Sequence, residues 1–288
     1  MLKAILFDMD DTLLDWSKRS QDWNAYEHQH LSQVYDLVAR HSEPLLSVDD
    51  FVVAMRAMTR EAWLEGSRGL RSPSLGSVLK RALIHAGVAA ETINIEECLK
   101  AYDWQPLAGV QTFPDVAELL PMFAASGIKL GVITNAYQPM WMRDRELAAL
   151  GLLPHLSDCR FSAADVGFLK PHPAIFEAAL RCLGVTAAET IFVGDNPYDD
   201  IAGAQAAGMR AILRVGFNMR PLISGLIVPD GAINSLHELL PMLDDWYPEW
   251  RSAAAPATVG IPVSTIPAIP PTSVPPALDQ GGTGAIPA

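Results

Sequence analysis

From about Leu107 to Leu213 the chain alternates short apolar runs with helical periodicity, and this alternation constrains the fold more than any other feature. Lys129-Leu130-Gly131-Val132-Ile133, Thr190-Ile191-Phe192-Val193 and Arg210-Ala211-Ile212-Leu213 read as buried strands, with a weaker strand around Cys159-Arg160-Phe161-Ser162. Helices fill the gaps. One opens at Pro114-Asp115 and closes at Gly127, one ends near Leu150-Gly151, one spans Pro173 to Leu183 and stops at Gly184, and one runs through Ala202 to Ala207 with Gly208 as its cap. Strands separated by helices predict a parallel sheet with helices on both faces, a doubly wound α/β core.

A further apolar run, Ala4-Ile5-Leu6-Phe7, opens the chain and leads straight into Asp8-Met9-Asp10-Asp11-Thr12-Leu13. Two carboxylates spaced i, i+2 therefore sit at the carboxyl end of a strand, where open parallel sheets gather ligands. Like charges this close repel, which calls for a cation or for a division of labour between nucleophile and acid. Between this motif and the alternating region, about Ser17 to Tyr102, the pattern is helical throughout. Trp23, Tyr26, His30, Val34, Leu37 and Val38 mark one helix face, a second helix begins near Val48-Asp49-Asp50, a third covers Leu75 to His85, and a fourth covers about Glu91 to Tyr102. The expected organisation is a core of residues 1–15 and 107–250, a helical cap of 16–106, and a tail of 251–288. The tail from about Ser252 holds 8 of the 22 prolines and a single charge, Asp279, a composition that builds no packed core.

A net charge of −12 argues against a surface for nucleic-acid polymers, since phosphate backbones are held by clustered lysine and arginine. A small phosphate remains accessible to such a protein if a metal ion and one lysine supply local positive charge. Three scattered cysteines, Cys98, Cys159 and Cys182, without a Cys-x-x-Cys pair, fit a reducing compartment and offer no zinc site. No apolar segment reaches the roughly 20 residues that span a bilayer. The expectation is a cytoplasmic protein without a membrane partner.

Four motifs follow one another at expected strand ends: Asp8-x-Asp10-x-Thr12, then Thr134-Asn135, then Lys170 in Gly167-Phe168-Leu169-Lys170-Pro171, then Gly194-Asp195-Asn196-Pro197-Tyr198-Asp199-Asp200. Together and in this order they resemble the haloacid dehalogenase superfamily of phosphotransferases, over about Leu2 to Leu240, with the helical insertion where that family carries its cap. The resemblance implies Asp8 as nucleophile, Asp10 as general acid and base, and Thr134, Asn135 and Lys170 as binders of the phosphoryl group. It implies Mg²⁺ held by the Asp8 carboxylate, the Asp10 carbonyl and Asp195, with Asp200, or less readily Asp199, orienting a water or Lys170. Relatives that cleave carbon–halogen bonds lack an acid at the position of Asp10, so its presence favours hydrolysis of a small phosphomonoester. The alternatives are a phosphotransferase or mutase of the same family, or a non-catalytic binding or scaffold protein. The metabolite and the oligomeric state stay open. Weaker candidates lie in the cap and nearby: Trp16, Trp23, His28, His30, a basic stretch Gly66–Arg71 carrying Arg68 and Arg71 that reads as a loop closing on an anion or as a solvated helix connection, His172, and Trp141, beside the Thr134 motif or a core helix aromatic.

Overall fold

The computed structural model describes residues 1–157, 159–216 and 226–253, within a compact unit Met1–Ala255. The expected tail, 251–288, lies almost wholly outside the described residues. Strands β1 (Ala4–Phe7), β4 (Lys129–Thr134), β5 (Arg160–Ser162), β6 (Thr190–Gly194), β7 (Arg210–Arg214) and β8 (Gly231–Ile233) form one sheet in the order β5-β4-β1-β6-β7-β8. Every pairing is parallel, with Phe7 opposite both Val132 and Val193. β1 is thus central, which explains its continuous apolar run, since both faces are covered. Ile5 and Phe7 point into one apolar cluster, while Ala4 and Leu6 join Ile133, Phe176 and Phe192 in the cluster on the opposite face. The doubly wound α/β core is as the sequence predicts.

A separate antiparallel pair joins β2 (Leu14–Asp15) to β3 (Gln111–Thr112). The chain leaves the core through one of these strands and returns through the other. Between them lie α1 (Trp23–Ala39), α2 (Val48–Gly69), α3 (Leu75–His85) and α4 (Ile95–Tyr102). α1 packs on α2 and α4, and α3 packs on α2 and α4, around Tyr26, Leu31, Val34, Phe51, Leu79 and Tyr102. Their apolar cluster is continuous with the one beneath Ile5 and Phe7. α4 begins at Ile95 rather than about Glu91, because the Asn94 side chain accepts from the Glu97 N–H and sets the cap there.

The remaining helices, α5 (Pro114–Ala125), α6 (Met140–Ala149), α7 (Ala163–Val166), α8 (Pro173–Leu183), α9 (Gly203–Ala206) and α10 (Leu239–Trp246), connect or flank the strands. The helix expected through Ala202–Ala207 is split, with a π-helical turn Pro197–Ala202 feeding the short α9. Two other expectations fail. Gly66–Gly69 is the last turn of α2, not a loop, and Arg71 lays its guanidinium 4.4 Å from the centre of the Phe168 ring. Trp141 is exposed, with the Arg145 guanidinium over its ring, so of its two readings the core one fails.

Cysteine usage also reads differently in three dimensions. Cys159, just before β5, forms a disulfide with Cys182 on α8, leaving only Cys98 free and buried. The cysteines therefore lend no support to a reducing compartment. No helix among the described residues is long and apolar enough to cross a membrane.

Candidate active site

Asp8 follows the last residue of β1, and its N–H donates to the Val193 carbonyl at 2.9 Å, extending the sheet register by one residue. The chain then reverses through Asp11, whose φ of 58° is left-handed, and the N–H groups of Leu13 and Leu14 both return to the Met9 carbonyl. Asp8 and Asp10 are thereby held at the end of the central strand, with Thr12 fully buried beneath them. Thr134 ends β4 on one side of β1, and Gly194-Asp195 ends β6 on the other. The sheet order alone brings three of the four motifs together.

The fourth arrives from α7–α8. The Asn135 side chain clamps it by accepting the Lys170 N–H at 2.7 Å and donating to the Lys170 carbonyl at 3.3 Å. The buried Lys170 ammonium donates to Asp8 Oδ1 at 2.5 Å and Asp200 Oδ1 at 2.6 Å. Asp200 also accepts the Asn196 N–H on Oδ2 at 2.9 Å. Asp200 lies so close to the end of β6 that a Cβ on Gly194 would stand 2.4 Å from its Cγ, so only glycine admits it. Asp199 accepts from the Asn196 side chain at 2.9 Å and also lines the cleft.

Carboxylates outnumber cations here. Burial, then the charges of Asp200, Asp195 and Asp10, push the Asp8 carboxyl well above the usual carboxylate range, against the pull of Lys170. Burial and Asp200 push Asp195 up to about 7. Lys170 is held above its ordinary value by Asp200 and Asp8, although burial alone would lower it. Carboxylate oxygens of Asp8, Asp195 and Asp200 lie within 4.8 Å of one another. An all-oxygen donor set with excess negative charge fits a hard divalent cation such as Mg²⁺. Both oxygens of Asp200 already serve Lys170 and Asn196, so Asp8 and Asp195 are the side chains better placed to hold the ion.

These groups line a cleft of about 780 Å³ between the strand ends and α1–α2, walled by Trp16, Trp23, Trp63 and Trp104. Arg143 of α6 also lines it, a residue that sequence reasoning missed. Arg143 donates to Asp10 Oδ1 at 2.6 Å and pairs with the fully buried Glu146. The signal was present, because Met140, Arg143 and Leu147 share one face of α6 and a charge on an apolar stripe needs a reason. Among the described residues, Arg68 and Arg71 do not line the cleft. His28 binds Asp49, His30 binds the Tyr102 carbonyl at 2.6 Å, and His172 caps α8.

A model of haloacid dehalogenase-like hydrolases matches residues 2–208. The chain belongs to the haloacid dehalogenase-like hydrolase family. This hydrolase is 30% identical over 247 residues to a glyceraldehyde 3-phosphate phosphatase of Methanopyrus kandleri, covering 84% of the chain and 97% of that relative. It is 33% identical to a phosphoglycolate phosphatase of Pectobacterium atrosepticum over 58% of the chain and 71% of the relative. Among solved structures, a 2-haloacid dehalogenase from Pseudomonas syringae pv. Tomato DC3000 superposes with a TM-score of 0.56 at 30% identity, covering 85% of the chain and all of the dehalogenase.

Proposed function

We propose that this hydrolase is a Mg²⁺-dependent phosphatase acting on a small phosphomonoester through an aspartyl phosphate. The observation that carries the reading is Asp10, a second carboxylate in the cleft beside Asp8, with Oδ2 3.5 Å from Thr134 Oγ1. Cleaving a P–O ester bond releases an alkoxide that needs a proton, and in this reading Asp10 gives it. The phosphatase relatives favour the same side of the choice between ester and carbon–halogen cleavage.

In this reading Asp8 attacks phosphorus, the bond to the leaving oxygen breaks, and Asp10 protonates that oxygen. Asp10, now ionised, takes a proton from water as the water oxygen attacks the acyl phosphate, which releases inorganic phosphate and regenerates Asp8. Lys170 neutralises charge on the transferring group, and Thr134 with the Asn135 N–H binds its oxygens. Asp200 positions Lys170, as its 2.6 Å contact supports. Asp8, Asp195 and the Asp10 carbonyl would hold Mg²⁺, which when bound neutralises the carboxylates and the phosphate. The helical insertion, residues 16–106, serves as the cap that closes over the leaving group, on a core of 1–15 and 107–250. The cytoplasm is the proposed compartment.

A panel of phosphorylated sugars, hydroxy acids and nucleotides, assayed with Mg²⁺ for released inorganic phosphate, tests the proposal. Phosphate release with saturation kinetics is the expected result. Halide release from 2-chloropropionate with no phosphate release from any ester overturns it.

A further inference from the structure

Asp10 is held by more than the motif it belongs to. Its Oδ1 accepts two donors, the Arg143 guanidinium at 2.6 Å and the Trp16 indole N–H at 2.8 Å. Its Oδ2 faces Thr134 Oγ1 instead. Two N–H donors on one oxygen leave no direction in which that oxygen can carry a proton of its own. When Asp10 is protonated, the hydrogen therefore sits on Oδ2, the oxygen turned toward the phosphoryl-binding side of the cleft.

The donors are themselves fixed. Arg143 is almost fully buried, and burying a lone guanidinium is strongly unfavourable. Glu146, one turn further along α6 and wholly buried, supplies the compensating charge. Trp104 covers the guanidinium at 5.7 Å from its ring centre. Burial works against the charge on Arg143, but Asp10 and Glu146 hold it firmly protonated. Trp16 directly follows β2, where the chain enters the helical insertion, and its own N–H reaches Asp11 Oδ1 at 3.3 Å. Donors from the core helix and from the cap connection thus meet on one carboxylate oxygen.

We propose that Arg143 and Trp16 are positioning residues that pin Oδ1 of Asp10, so that Oδ2 delivers the proton to the leaving oxygen and later receives one from water. The proposal rests on the acid–base role given to Asp10 above. Both donors bind the Asp10 carboxylate, whereas the part of Asp10 given to the metal is its backbone carbonyl. In the ester-cleavage step, which kcat/KM reads, their effect therefore scales with how much proton the leaving group needs.

The test compares p-nitrophenyl phosphate, whose leaving group needs little protonation, with glycerol 2-phosphate, whose alkoxide needs it fully. Trp16→Phe keeps the ring and removes the donor. Arg143→Met with Glu146→Gln removes both buried charges together, which avoids stranding Glu146. Asp10→Asn is the reference, and circular dichroism with thermal melting checks folding of each variant. We expect kcat/KM on glycerol 2-phosphate to fall about 10-fold for Trp16→Phe and about 100-fold for the double variant, the second loss reaching the ~10²–10⁴-fold range of acid–base contributions. The loss on p-nitrophenyl phosphate should be several-fold smaller, and KM for both esters should hold within about twofold. Adding Asp10→Asn to either should cost no more than Asp10→Asn alone, because the residues act as one unit. Equal losses on both esters, or additive losses with Asp10→Asn, overturn the positioning role while leaving the phosphatase reading intact. If Asp10→Asn itself shows no leaving-group dependence, the acid–base reading of Asp10 fails and this inference fails with it.

Discussion

Asp8 and Asp115 are equally hidden, with 6% and 7% of their surfaces exposed, yet their surroundings act on them in opposite directions. Burial raises both carboxyls. At Asp115, at the start of α5, two Arg214 N–H donors at 2.9 and 3.0 Å, the Leu236 N–H at 2.6 Å and the Ser235 hydroxyl at 3.1 Å more than offset it, and the group is held below the usual range. Asp8 shares one ammonium with Asp200 and faces Asp10 and Asp195, so its carboxyl rises. The fold plainly can compensate a buried aspartate, since it does so at Asp115. Leaving the deficit at the end of β1 fits a place where a cation completes the balance. Compensation, rather than burial, separates scaffold from site.

Removing one member from each place should break the molecule differently. Asp8→Asn is expected to lower turnover by ~10⁴-fold or more, because it removes the proposed nucleophile, while its melting temperature stays level or rises as one repelling charge disappears. Steady-state kinetics and calorimetry check both halves. A variant that melts several degrees lower would mean that Asp8 carries structure too. Asp115→Asn should do the reverse. It strands the Arg214 guanidinium, which lies 4.1 Å from the centre of the Phe113 ring, and should cost about 3–5 kcal/mol in urea unfolding. Its turnover per folded molecule should remain within about threefold of the parent, given that catalysis needs none of its contacts. A collapse of kcat in the folded variant would erase the distinction.

How far this contrast was legible in the sequence depends on the kind of contact. β1, β4 and β6 announce themselves because short, largely apolar strands of four to six residues lead into Asp8 and Asp195 or end on Thr134, and their adjacency follows from parallel topology. α8 was legible to the residue from Pro173 and Gly184. β2 and β3 were not, because two residues each have no period and they pair across the whole helical insertion. Gly66 and Gly69 looked like loop formers. Gly66 is instead a buried helical position where a Cβ would stand 2.3 Å from the Arg71 carbonyl, a packing demand that composition hides. Arg143 and Glu146 pair locally at i, i+3, but the contact of Arg143 with Asp10 is set by tertiary approach, as is the Cys159–Cys182 bond.

Metal exchange sharpens the comparison by filling the deficit from outside. Mg²⁺ binding only the folded state at 100 times its Kd should add about 2.7 kcal/mol of stability, read as a rise in Tm over the EDTA-treated protein. Turnover should vanish in EDTA and return with Mg²⁺. Asp195→Asn should flatten the Mg²⁺-induced shift, whereas Asp115→Asn should keep it. An unchanged Tm together with full turnover in EDTA would remove the cation from the account of the cleft.

The smallest expected effect is a pH dependence that isolates Asp115. Its folded carboxyl titrates below the ordinary aspartate value of about 3.9. A depressed folded value means that the unfolded chain binds the proton first as pH falls. The stability contributed by the Arg214 pair is therefore complete above the ordinary aspartate range, begins to fade as pH drops through it, and is gone once pH falls below the folded value. Urea unfolding of the parent and of Asp115→Asn, both in EDTA, should show a constant difference between about pH 5 and 7 that narrows below about pH 4. Every other carboxyl is common to the two proteins, so their titrations cancel in the difference. A gap that stays the same width down to pH 3 would mean that shape alone, not charge, makes Asp115 structural. The contrast with Asp8 would then rest on packing rather than on compensation.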